Sequence, residues 1–167
     1  MSHVEHRRQA PASVGCFVLT VSDTRTAATD GGGDAIAALL EAAGHRVTGR
    51  AIVKDDPALV RDAVTRQLAN ADVQAIITTG GTGITSRDTT YEAISALLQK
   101  KLDGFGEIFR MLSYQDIGSA AIMSRACAGL AAGRIVITLP GSEKAVRLAC
   151  EKLIVPELAH MVQQASK

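Results

Sequence analysis

Apolar positions in this chain alternate between two spacings. Short, nearly continuous apolar runs cover Val14–Val21 (VGCFVLTV), 73–79 and Arg134–Leu139 (RIVITL), with a partly alternating run from His45 to Lys54. Runs of this length, rich in β-branched residues, are strands, and strands buried on both faces lose the strict alternation of a half-exposed sheet. Between them the spacing changes to that of a helix. From Asp34 to Ala43, Ile36, Leu39, Leu40 and Ala43 share one face, and Gly44 is a stop. Asp56 with Pro57 opens a second helix, whose stripe is Leu59, Val60, Ala63, Val64 and Leu68. A third helix is expected from Thr89 to Gln99, opened by a Thr89/Glu92 capping box. Two short helices are expected at Phe105–Asp116 and Ser119–Leu130. Another runs through Ala145, Val146, Leu148, Ala149 and Leu153, and Pro156 either opens a final helical segment or kinks this one. Strands alternating with helices predict an α/β fold: a three-layer α/β/α arrangement around a mostly parallel sheet.

Composition narrows the function classes. With 47% hydrophobic and 21% charged residues, the chain has ordinary globular composition. A net charge of +1 and an aromatic content of 3% argue against nucleic-acid or membrane surfaces. Residues 1–13 hold His3, His6, Arg7, Arg8 and Pro11 without an apolar block, which predicts a flexible tail, no secretory signal and a cytoplasmic protein. The remainder, 14–167, reads as a single domain. Cys16, Cys127 and Cys150 form no CxxC pattern and read as free thiols, with Cys16 and Cys150 in the core. The four histidines show no zinc spacing.

Chemistry concentrates where apolar runs break into small and hydroxylated residues. These breaks are Thr20-Val21-Ser22-Asp23, Thr78-Thr79-Gly80-Gly81-Thr82-Gly83 and Leu139-Pro140-Gly141-Ser142, with Lys54-Asp55-Asp56 ending the second strand. In a parallel sheet these ends share one edge, the edge at which open α/β sheets bind ligands. Glycine turns free the backbone N–H groups for an anion, and Asp23, Asp55 and Asp88 beside them suit Mg²⁺ carried with phosphates. The P-loop pattern is absent, the Rossmann fingerprint does not fit, and no Ser-His-Asp or cysteine nucleophile stands out. Arg87, Arg110, Arg125 and Lys144 are the candidate phosphate partners, and Glu107 is a further polar candidate.

The ordered set TVSD, TTGGTG, RD, GFGE, SR and PGS, spread over about Val14 to Glu157, resembles the MoaB/MogA family of molybdenum cofactor biosynthesis proteins and is similar to the gephyrin G domain. The stretch Gly104–Arg110 followed by Met111-Leu112-Ser113-Tyr114 looks closer to the MoaB branch. So does Tyr91, where many adenylating members carry Pro. Asp30-Gly31-Gly32 departs from the more usual acidic residue-Ser-Gly. The resemblance implies a molybdopterin-binding domain that adenylates molybdopterin with Mg-ATP and releases pyrophosphate. The alternative is a non-catalytic molybdopterin-binding or assembly protein. It further implies a trimer or hexamer and a downstream metal-inserting partner. By motif, Gly80, Gly81, Thr82 and Gly83 would bind nucleotide, and Asp55 and Asp88 would be the catalytic, Mg²⁺-holding carboxylates. Ser22, Ser124, Arg125, Ser142 and Lys144 would serve molybdopterin and its phosphate.

Overall fold

The computed structural model describes residues 3–167. Four strands, β1 (Gly15–Val21), β2 (Arg46–Val53), β3 (Ala75–Thr79) and β6 (Arg134–Leu139), pair in parallel in the order β2-β1-β3-β6. Beyond β6 come β5 (Cys127–Ala131) and β4 (Lys100–Lys101), each antiparallel to its neighbour. Side chains alternate across the sheet. Cys16, Val18, Ala75, Ile77, Ile135 and Ile137 enter one core, while Phe17, Leu19, Ile76 and Val136 enter the other. The first core is closed by helices α2 (Gly31–Ala42), α5 (Asp103–Ile117), α6 (Glu143–Ala149) and α7 (Val155–Ala165). The second is closed by α3 (Pro57–Leu68) and α4 (Thr90–Ser95). Burial of each large side chain such as Ile77 or Leu19 contributes about 1.5–3 kcal/mol, so both faces must be covered. This is the expected α/β architecture, with a mixed, mostly parallel sheet.

Several local expectations are corrected. The segment expected as a helix from Ser119 to Leu130 is a 3₁₀ turn, Gly118–Met123, followed by β5. Ala132 (φ 47°) and Gly133 (φ 73°) form the two-residue turn that pairs β5 with β6. A hairpin turn of this kind requires positive φ at both central residues. Gly129 is required on β5 because a Cβ there would stand 2.3 Å from the Lys100 carbonyl oxygen. The helix expected from Thr89 to Gln99 stops at Ser95, and Gln99 already donates its N–H to the Leu130 carbonyl at the approach to β4. The first long helix begins at Gly31 rather than Asp34, because Asp30 caps it by accepting the Gly33 N–H at 3.0 Å. Pro156 lies at the start of α7 after a π-helical turn, Cys150–Ile154, whose next residue, Val155, donates to the Cys150 carbonyl. The segment expected as a tail carries α1 (His3–Arg8), and Arg7 pairs with Glu157 of α7. All three cysteines are free and buried. Among the described residues no helix is long and apolar enough to cross a membrane.

Candidate functional site

The carboxyl ends of β1, β2, β3 and β6 surround a cavity of about 320 Å³. Its floor is the glycine turn after β3. Gly80 (φ 97°) crosses so close to β1 that a Cβ would stand 2.1 Å from the Val21 carbonyl oxygen. At Gly81 (φ 67°) a Cβ would stand 2.0 Å from Thr90 Oγ1 and 2.7 Å from Asp55 Oδ2. Only glycine satisfies both the left-handed backbone and the close approach at these positions. The turn is tied to its neighbours: Gly80 N–H donates to the Leu139 carbonyl (3.0 Å), and Thr90 N–H donates to the Gly81 carbonyl (3.0 Å).

Asp55 follows β2 and is buried against this floor. Its Oδ1 accepts from Thr89 Oγ1 at 2.9 Å and from Thr89 N–H at 3.3 Å. The Thr89 hydroxyl is thereby taken from the capping box expected for it, and Glu92 pairs instead with Arg125. Asp88 holds the far limb of the loop: its Oδ2 accepts from Thr85 N–H (3.0 Å) and Thr85 Oγ1 (2.7 Å). Among the described residues, Asp55 Oδ2 and Asp88 Oδ1 carry no hydrogen bond. Each carboxylate is thus fixed through one oxygen and offers the other. Asp23 accepts the Asp55 N–H at 3.1 Å through Oδ1, while its Oδ2 accepts from Arg87 Nε (3.2 Å) and Nη2 (2.7 Å). Those Arg87 hydrogen bonds, with that from Asp55 N–H, hold the Asp23 carboxyl below its ordinary range.

Of the residues named from sequence, Ser22, Asp23, Asp55, Gly80, Gly81, Arg87 and Asp88 line the cavity together. Ser22 Oγ accepts from the N–H groups of Thr24 (3.2 Å) and Arg25 (3.0 Å), which shapes the first loop. Thr82 and Gly83 lie just outside, where Arg125 grips their carbonyls at 2.8 and 2.7 Å while its guanidinium lies 4.8 Å from the centre of the Tyr91 ring. Ser124 directly precedes that arginine. Ser142 caps α6 by accepting the Ala145 N–H at 3.2 Å, and its neighbour Gly141 reaches the cavity. Lys144 points away and pairs with Asp116 of α5 at 3.0 Å. Arg110 and Glu107 line a separate small pocket with Lys101 and Tyr91.

Asp30 belongs to the wall and was not named from sequence as a site residue. It is buried, accepts from Thr20 Oγ1 (2.7 Å) and Arg50 Nη2 (3.1 Å), and caps α2, whose Gly32 also lines the cavity. The available signal was an aspartate directly before a glycine run that opens a helix. Asp23, Asp30, Asp55 and Asp88 line the cavity with two arginines, Arg25 and Arg87, and Asp30 is also paired with Arg50. The carboxylates outnumber the arginines that line the cavity, so an anion accompanied by a divalent cation is favoured here over a bare one. No cluster of three or more His, Cys, Asp or Glu among the described residues could hold a metal alone. The two free oxygens on Asp55 and Asp88 fit Mg²⁺, which commonly takes one or two carboxylates and completes its shell with water and substrate phosphates.

The chain matches the family model described as "Probable molybdopterin binding domain" over residues 17–160. It is 52% identical to molybdenum cofactor biosynthesis protein B of Bacillus cereus over 162 residues, 96% of each chain. To the protein of that name from Bacillus subtilis it is 51% identical over 168 residues, covering 100% of this chain and 99% of the other. A crystal structure of a molybdenum cofactor biosynthesis protein B superposes with a TM-score of 0.91 at 51% identity, covering 94% of this chain and 98% of that one. The tungsten cofactor synthesizing protein MoaB of Pyrococcus furiosus superposes with a TM-score of 0.85 at 37% identity, covering 95% and 100%. On sequence and fold together, the chain belongs to the MoaB group of the molybdopterin-binding domain family.

Proposed function

We propose that this protein binds molybdopterin and adenylates it with Mg-ATP, releasing pyrophosphate. The observation that carries the reading is the pairing of a glycine turn with two carboxylates that line the same cavity and each keep one oxygen without a hydrogen bond. In the reaction a terminal phosphate oxygen of molybdopterin attacks the α-phosphorus of ATP. One P–O bond forms, the bond to the pyrophosphate oxygen breaks, and the nucleophile is already anionic. No protein base is needed. The barrier is repulsion between phosphates, so the protein's contribution is positioning and charge.

Asp55 and Asp88 would hold Mg²⁺, which when bound would offset the phosphate charge. Gly80 and Gly81 bring backbone within reach of the nucleotide, and Thr82 and Gly83 keep the turn in register through Arg125. Ser22, Ser124, Ser142 and Lys144 remain the candidates for the pterin phosphate, with Arg125 between the two groups. Ser22 alone of these lines the described cavity. A downstream metal-inserting protein would take the adenylated product. The competing reading is a molybdopterin-binding or assembly protein without turnover. Incubating the protein with molybdopterin and Mg-ATP and weighing the pterin by mass spectrometry decides between them. Adenylated pterin together with pyrophosphate supports the reaction, and bound but unchanged pterin refutes it.

A further inference from the structure

The Asp23–Arg87 pair spans the mouth of the cavity from two separate elements. Asp23 follows β1, and Arg87 sits in the loop after β3. Both side chains line the cavity, yet both are open to solvent, at 67% for Arg87 and 39% for Asp23. The pair is lopsided in what holds it. Asp23 is anchored independently, because Oδ1 accepts the Asp55 N–H. Arg87 has no other hydrogen bond among the described residues. The other cavity arginine, Arg25, already donates Nη1 to the Thr29 carbonyl at 2.9 Å. Arg87 is therefore the cavity cation whose fork is held only by a partner that can release it.

We infer that Arg87 is an exchange residue: an incoming phosphate takes its guanidinium from Asp23 and leaves Asp23 Oδ2 free at the cavity mouth. An exposed ion pair contributes little stability, so opening it costs little. Asp23 offers the fork a single oxygen, Oδ2, whereas a phosphate offers two oxygens with more negative charge, so the guanidinium loses nothing in the exchange. Asp23 stays in place through Asp55, and its freed oxygen lies beside the carboxylates proposed to accompany the metal. Paired, the two side chains mask one positive and one negative group at once. Entry of a metal-accompanied phosphate unmasks both. The inference rests on the cavity being the nucleotide site, and it assigns to Arg87 the first recognition of the anion.

The test is a binding cycle on the full chain, titrating ATP by calorimetry in two parallel series, one with EDTA and one with Mg²⁺. Asp23→Asn keeps an Oδ1 acceptor for Asp55 but releases Arg87, so ATP should bind about threefold to tenfold tighter. Arg87→Gln should bind about tenfold weaker, and Arg87→Lys, which keeps the charge but not the fork, should fall between Gln and wild type. In the Arg87→Gln background the gain from Asp23→Asn should vanish, because nothing remains to release. If that gain persists undiminished, Asp23 acts only through its charge at a distance and the exchange is overturned. It is equally overturned if none of the variants binds ATP in either series, or if Asp23→Asn binds no tighter than wild type. Adenylate formation is measured separately. The expected cycle without adenylated product removes the reaction and leaves the exchange standing, whereas product with a flat cycle does the reverse.

Discussion

Gly32→Ala separates stability from ligand binding at one position. Gly32 lies in the first turn of α2 and lines the cavity, with no positive φ to forbid a side chain. A Cβ there would stand 3.5 Å from Thr79 Oγ1 and 3.7 Å from the Gly141 carbonyl oxygen, both ordinary contacts. Alanine therefore fits the free protein. Glycine within a helix costs about 0.5–1 kcal/mol relative to alanine, and a first-turn position should recover the lower part of that range. For a chain of this size 1 kcal/mol corresponds to about 2–4 °C in Tm, so the variant should melt about 1–2 °C higher. The new methyl also occupies cavity space between β3 and the Gly141 turn. Overfilling a packed contact costs about 1–3 kcal/mol, which is roughly 5- to 150-fold in affinity. Scanning fluorimetry and calorimetric titration with Mg-ATP measure the two effects. Raised stability with weakened Mg-ATP binding is the expected result. Unchanged affinity would show that the ligand does not approach α2, and a lowered Tm would show that the space around Gly32 has been misjudged.

Asp88→Asn should fold, because the amide oxygen can still accept from Thr85, but lose about a hundredfold or more in single-turnover adenylation; a wild-type rate would reject Asp88 as a metal-holding group. Lys144→Ala removes only a surface ion pair with Asp116 and should leave ATP affinity unchanged, so weakened molybdopterin binding by calorimetry would place the pterin phosphate near α6, and weakened ATP binding would contradict the pocket assignment. The protein should be a trimer or hexamer, since Ile108, Met111, Tyr114 and Ile117 form an exposed stripe on α5, continued by Ile122 at 82% exposure; a monomer in light scattering at micromolar concentration would refute this. Burial pushes the thiols of Cys16 and Cys150 up to about 12 and that of Cys127 to about 11, so a thiol reagent at pH 8 should label the native chain slowly and the unfolded chain rapidly at all three. The sign follows: thiols whose folded pKa is raised favour the folded state below the unfolded value of about 9 and withdraw that support as pH rises beyond it.

The parallel half of the fold was legible because its strands are written in β-branched residues: Val18, Val21, Ile76, Ile77, Ile135, Val136 and Ile137 leave little room for a helix. The antiparallel half was not. β5 is Cys-Ala-Gly-Leu-Ala, a composition that favours no strand, and its identity comes from pairing with β6 across the Ala132-Gly133 turn. Local propensity carries no record of a partner strand. The cavity was legible for a related reason. Its floor depends on glycines that no other residue replaces, and Gly80 and Gly81 stand out in any reading of the chain. What sequence did not reveal were the pairings. Thr89 and Glu92 have capping-box spacing, yet each finds a better partner, Asp55 and Arg125, from elements 34 and 33 residues away.

One long-range and one local pairing explain why the metal-holding candidates can be rigid while remaining available. Asp55 is positioned by Thr89, 34 residues away, and donates its own N–H to Asp23, while Asp88 is positioned locally by Thr85, three residues earlier in the same loop. Each carboxylate spends one oxygen on orientation. A carboxylate left with both oxygens free would pay the entropy of ordering when ligand arrived, and one with both oxygens bonded would have nothing to offer a cation. The same logic accounts for Arg125. Its fork is committed to the Thr82 and Gly83 carbonyls and to Glu92, so it fixes the limb between Asp55's floor and Asp88. With Arg125 so occupied, positive charge toward a phosphate at the cavity must come from Arg87, Arg25 or the metal that accompanies the phosphate. The aspartates lining the cavity then favour a metal-bound phosphate over the bare anion, which is the selectivity the proposed adenylation would require.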